Sequence, residues 1–235
     1  MKNFWVFVLV FGLVAVGKAQ FVWPSKSDNV AVSGTYVEDP FIVEYRKKFF
    51  AVFRGDLKTF NAAYAEIEAM LERDPKDARA LVWLGNGQTV RAGLWRVQGK
   101  TAEAESLLET SRKTLDKAVS LRPTDPNIYM MRAATLYIQG QYLPVEKLPR
   151  SVWETLRDDC LRFIKFIGPE RMKKVSVHVR GEAYGELGIA YLRLGNKKEA
   201  VKTFEFLEKL NPGTAYAKRA REEILNINGK KSSKS

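Results

Sequence analysis

Apolar positions recur at the three-to-four-residue spacing of a helix face from about residue 41 to 226. The cleanest stretch runs from Gly181 to Thr214. Tyr184, Leu187, Gly188 and Tyr191 form one stripe, Gly195 interrupts it, and Ala200, Phe204 and Leu207 form a second stripe before Pro212. This pattern predicts two antiparallel helices. Small residues at Gly188 and Ala200 let them approach, and bulky residues fill the space beside them. Gly195 permits the reversal, and Pro212 cannot continue a helix.

Pro75 and Pro123 close two comparable stretches upstream. The first, 44–77, carries Phe50, Ala51, Ala63 and Ile67, with an early Gly55 that lengthens its second helix. Asp39-Pro40 reads as the cap and first turn of the opening helix. The second, 78–125, opens with Leu81, Leu84 and Gly85 and closes with Leu115, Ala118 and Leu121. Its two flanking prolines lie 48 residues apart, against the 34 of the cleanest stretch. The excess is about four helical turns, so each helix is predicted to gain two, reversing at Gly99-Lys100.

A further unit, 126–180, opens with Pro126, Tyr129, Ala133 and Gly140 and then breaks at Leu143-Pro144 and Leu148-Pro149. A loop is expected over 141–150. Ser151 and Glu154 then read as a capping box, starting a helix that Gly168-Pro169 ends after Ile167. Residues 170–180 are expected to extend the next helix backwards; a short strand over 175–179 is the alternative, because its residues are β-branched. A last helix, 215–226, caps the stack with a polar outer face. The final stretch, 227–235, reads as a basic disordered tail.

With Gly181 as position 1, the residues quoted for 181–214 fall on the large residue at 4, Leu-Gly at 7 and 8, and Tyr at 11. They continue onto Gly at 15, Ala at 20, Phe at 24 and Pro at 32. In this the chain resembles the tetratricopeptide repeat. The resemblance implies an all-α, right-handed superhelical solenoid of about four helix pairs plus a C-terminal capping helix. The physics agrees, since one pair cannot bury its own apolar face and must stack on another.

Ahead of this domain, Lys2 precedes thirteen residues without a charge, Phe4 to Val16, and Gly17-Lys18-Ala19 follows. That is too short to span a membrane, which takes about twenty residues, and suits a signal peptide over 1–19 with cleavage near Ala19. A periplasmic or secreted protein is therefore expected; an uncleaved anchor is the alternative. Residues 20–40 read as an extended segment.

Composition narrows the chemistry. The 235 residues carry a net charge of +12, one Cys and one His. A single Cys excludes an internal disulfide framework, and a single His excludes sites that need two His ligands. The positive charge favours acidic partners or anionic envelope surfaces, with no nucleic acid expected after export. Gly85-Asn86-Gly87 lacks the third Gly of a nucleotide fingerprint, and no Gly-x-Ser-x-Gly elbow occurs. Cys160 reads as a buried, inert thiol. His178 has the cations Arg171, Lys174 and Arg180 near it in sequence and no evident carboxylate to orient it, and Asp158-Asp159 reads as a solvated helix face. No catalytic residue, cofactor or metal is expected.

Binding residues follow from the resemblance, whose members hold ligands in a concave groove lined by first helices. The corresponding positions are Arg79, Val82 and Asn86 in one unit, Asn127, Met130 and Tyr137 in the next, and Glu182, Ile189 and Arg193 in the last. Mixed aliphatic, aromatic and amide groups suit an extended or helical peptide. The Lys/Asn/Arg clamp of cytosolic chaperone adaptors is not expected: Asn86 fits it, but Val82 replaces a Lys, and Glu182 and Glu186 stand where bases are needed. Arg171, Lys174 and His178, at i, i+3 and i+7, form a basic stripe if that stretch is helical. The leading expectation is a non-catalytic envelope adaptor that binds a protein or peptide partner. A small-ligand or cell-wall binding protein using Trp95 and Trp153, and a self-associating structural protein or homo-oligomer, are the alternatives.

Overall fold

A computed structural model describes residues 39–143 and 147–232, which fall into two units on either side of the loop after Tyr142. The signal-peptide and extended-segment readings lie outside the described residues. The described residues are all-α, built within each unit from neighbouring helices packed in pairs in the manner of tetratricopeptide repeats.

In the first unit, α1 (Pro40–Phe49) runs into a 3-10 turn (Phe50–Arg54), and α2 (Leu57–Arg73) follows Gly55. The long pair is α3 (Ala78–Val97) and α4 (Thr101–Leu121), against which α5 (Pro126–Tyr142) packs. Their 20 and 21 residues reverse at Gly99, whose φ of +81° is a conformation that favours glycine. Aspartates start the helices. Asp39, Asp56, Asp77 and Asp125 accept backbone N–H groups of the first turns of α1, α2, α3 and α5 at 2.9, 2.9, 2.9 and 3.0 Å. Each removes an orphan donor, worth about 1 kcal/mol. Phe49 anchors the core between Phe60 (5.6 Å, edge-on) and Trp83 (4.9 Å), all three fully buried.

In the second unit, α6 (Arg150–Ile167) is followed by a single turn, α7 (Pro169–Met172), and then by α8 (Val177–Arg193), α9 (Lys197–Leu210) and α10 (Ala215–Ser232). The capping box does not form. Pro149 fixes φ for a helix start and becomes the cap, so Ser151 falls inside the first turn, and Glu154 instead accepts from Arg150 Nε at 3.0 Å. The backward extension expected over 170–180 reaches only Val177, and no strand forms over 175–179. Gly168, at φ +73°, turns the chain, and Val175 plugs the core. Ser176 then caps α8 by accepting the Val179 N–H at 3.3 Å, so that helix begins at Val177. The last helix continues beyond 226 through Ser232, with Ile227 buried on its inner side. Residues 233–235 lie outside the described residues.

Among the described residues, no helix is long and apolar enough to cross a membrane.

Candidate functional site

Helix α8 brings the second unit's chemistry together. His178, Glu182, Gly185, Glu186 and Ile189 share one stripe of it. His178 is buried, with Nδ1 2.6 Å from the Tyr216 hydroxyl on α10 and Nε2 3.2 Å from Glu182 Oε1. That second approach is not aligned for a hydrogen bond, and Nε2 has none. A carboxylate cannot donate, so the imidazole proton belongs on Nε2 facing Glu182, and Nδ1 accepts from Tyr216. His178 therefore does have a carboxylate beside it. The sequence reading missed Glu182 in that role by looking at the cations before His178 and not one turn ahead.

Glu186, one turn further, is 6% exposed, and its Oε2 has no hydrogen-bond partner. Burial, then the Glu182 charge, pushes its carboxyl well above the usual carboxylate range; Arg219 on α10 opposes the shift. From α6, Cys160 and Asp159 add to the group. Burial first, and then Glu186, Asp159 and Glu182, push the Cys160 thiol well up, so it stays protonated and unreactive at neutral pH. Asp159 is itself buried, which corrects the expectation of a solvated Asp158-Asp159 face. Adjacent helical positions point apart, so Asp158 turns out to Arg157 (2.7 Å) while Asp159 turns in. Among the described residues, no three His, Cys, Asp or Glu side chains are arranged to hold a metal ion.

The pair α8–α9 has the length, reversal and small-residue contacts of the repeat read in the sequence, and the family model described as "Tetratricopeptide repeat" matches residues 181–214. The chain contains a tetratricopeptide repeat. No curated protein matches the chain.

Two of the repeat's three helix-face glycines are required by packing. A Cβ on Gly188 would stand 2.7 Å from Phe204 Cζ, and one on Gly181 would run into the Tyr216 ring. Gly185 differs: a Cβ there would meet only Leu207, at an ordinary 3.7 Å. Within the repeat, Ile189 is buried, Glu182 keeps part of its side chain exposed, and Arg193 is exposed with its guanidinium 5.9 Å from the Trp153 ring. In the first unit, Val82, Asn86, Met130 and Tyr137 are buried, so they do not line an open groove as expected. Arg79 and Asn127 are half-buried; Arg79 faces Asp39 and Asp77 at 3.7 Å each. Trp153 is buried and Trp95 half-buried, which leaves Trp153 unavailable as a ligand platform.

The basic stripe does not exist as one helix face. Arg171 lies in α7, Lys174 in the turn after it and His178 inside α8. Arg171 donates from Nε to the Ile167 carbonyl and from Nη2 to the Phe166 carbonyl, both at 2.7 Å. It thereby satisfies carbonyls that the end of α6 leaves open.

One feature of the first unit had no counterpart in the sequence reading. Thr89 on α3, Ser111 and Arg112 on α4, and Gln139 on α5 form a hydrogen-bonded chain, buried apart from half-buried Arg112. Ser111 Oγ donates to the Gly85 carbonyl at 2.7 Å, so Thr89 must donate to Ser111 (2.9 Å). Gln139 Nε2 then gives its protons to Thr89 (2.9 Å) and Ser111 (3.1 Å), and its Oε1 accepts from Arg112 at 3.1 Å. Beside it, Asn86 Nδ2 donates to Thr135 Oγ1 at 3.2 Å. The signal that could have revealed this chain was polar residues on stripes otherwise filled by apolar ones.

Proposed function

We propose that the protein is a non-catalytic adaptor of the cell envelope that holds a protein or peptide partner against its helix pairs. The observation that carries this reading is the tetratricopeptide repeat at 181–214, a module whose all-helical fold is typically a scaffold for protein partners. Stacked helix pairs present a long, preformed surface, so a partner can bind without the scaffold having to order itself first. The buried and inert state of Cys160, and the burial of His178 away from open solvent, agree with a role that involves no bond-making. Export is part of the proposal and rests on the charged start, the apolar run and the small residues ending at Ala19.

Two measurements test it. Fractionation with N-terminal sequencing of the native protein is expected to recover a chain starting at Gln20 outside the cytoplasm. In vivo crosslinking followed by mass spectrometry is expected to recover one near-stoichiometric protein partner. Recovery of the bait alone, or crosslinked only to itself, would replace the adaptor with self-assembly or a non-protein ligand.

A further inference from the structure

In a chain of net charge +12, three carboxylates gather around Cys160 in the second unit: Asp159, Glu182 and Glu186. Arg219 is the cation that acts on Glu186. Burying a carboxylate without a compensating charge is costly, and burial with the neighbouring Glu182 charge raises the Glu186 carboxyl well above the usual carboxylate range. Yet Glu186 is not used inside the fold as a hydrogen-bonding group should be: its Oε2 is buried without a partner, as is Nε2 of His178 two helical turns away. Two polar groups, each more than nine-tenths buried, are thus left unsatisfied on the same stripe. Glu182, between them, keeps part of its side chain at the surface. Gly185, beside both glutamates, carries no side chain, is only half-buried, and is not held to glycine by packing. The stripe is open at Glu182 and Gly185 and unsatisfied beneath.

We propose that this stripe of α8 receives a cationic side chain of the protein partner, an arginine or lysine whose charge is taken by Glu182 and Glu186. The proposal rests on the protein-binding reading and adds the partner's chemistry to it. Arginine suits the geometry best, because a planar guanidinium can engage two carboxylates at once through separate N–H groups. A bound cation favours the Glu186 carboxylate, so protons that the free site holds pass to the buffer. Association is therefore expected to release protons and to strengthen as pH rises. The groups that set this balance are Asp159 and Cys160 from α6, His178 and Glu182 on α8 itself, and Tyr216 and Arg219 from α10.

The test uses the mature full-length chain and two probes, N-acetyl-arginine amide and its neutral isostere N-acetyl-citrulline amide, titrated to tens of millimolar while the glutamate side-chain carboxyl signals are followed by NMR. The arginine probe is expected to shift the Glu182 and Glu186 signals and to bind at least tenfold more tightly than the citrulline probe. Glu186→Gln has the shape of the protonated acid and so preserves the fold; it is expected to weaken the arginine probe about tenfold. Glu205→Gln, an exposed carboxylate on α9, should leave it unchanged. Equal binding of the two probes, no shift at either glutamate, or full binding by Glu186→Gln would each overturn the proposal. Repeating the crosslinking with Glu186→Gln separates the two readings. A partner captured equally by parent and variant leaves the adaptor standing without this site. Arginine binding with no protein captured leaves the cation site standing without the adaptor.

Discussion

The Nδ1 nitrogen of His178 lies 2.6 Å from the Tyr216 hydroxyl and ties the first helix of the tetratricopeptide repeat to the helix that follows it. The same tyrosine ring fills the notch left by Gly181, so one residue provides both the packing and the polar lock. Tyr216→Phe keeps the ring and removes the hydroxyl, leaving Nδ1 buried without a donor. It is expected to cost about 1–2 kcal/mol in urea unfolding, with an unchanged m-value. Unfolding at the parent midpoint would mean that the hydroxyl contributes nothing.

The repeat's glycines separate into two behaviours that substitution can distinguish. Gly188→Ala forces a methyl to within 2.7 Å of Phe204 and is expected to destabilise by about 1–3 kcal/mol. Gly185→Ala meets no such obstacle, and helix propensity alone predicts a gain of about 0.5–1 kcal/mol. Adding Phe204→Leu to Gly188→Ala should recover part of the loss, because the smaller side chain vacates the space the methyl needs. Thermal melts of the three variants against the parent decide this. Equal melting temperatures for Gly185→Ala and Gly188→Ala would remove the distinction.

Which parts of this architecture could be read from the sequence depends on how local their cause is. The reversal at Gly99 and the long pair α3–α4 followed from counting residues between Pro75 and Pro123, because helix length and turn chemistry are set within the segment. The start of α8 did not follow. Three competing local signals met there: β-branched residues, a helical charge spacing and the cap at Ser176. The cap prevailed because Val175 was needed in the core. The positions read as groove-lining were on the first helices of their pairs, but burial of Val82, Asn86, Met130 and Tyr137 depends on packing that one helix's periodicity does not encode. The carboxylate cluster was least legible, since Asp159, Glu182 and Glu186 belong to two helices whose mutual rotation decides whether they meet.

In the first unit, the hydrogen-bonded chain through Thr89, Ser111 and Gln139 makes each member depend on the others. Gln139→Leu removes two donors and one acceptor and strands Arg112, and is expected to cost about 2 kcal/mol or more. Thr89→Val breaks the same chain elsewhere, so the two changes together should cost less than the sum of the singles. A double-mutant cycle on urea unfolding measures the coupling, expected at about 1 kcal/mol. Strict additivity would show that the bonds act independently.

Glu186 gives the fold a pH dependence whose sign is fixed. Its carboxyl titrates above the ordinary value of 4.5 in the folded chain, through burial and the neighbouring Glu182 charge. The folded state therefore holds this proton over a range in which the unfolded chain has lost it. Stability falls as pH rises wherever the folded state binds more protons. The contribution is fully present below about pH 4.5, begins to be lost above it, and is gone once pH passes the raised folded value. Glu186→Gln cannot ionise, so it is expected to equal the parent below about pH 4.5 and to exceed it increasingly from there up to the raised folded value. Urea midpoints at four pH values across that range check it. Curves that stay parallel would show that Glu186 carries the same charge in the folded and unfolded chains.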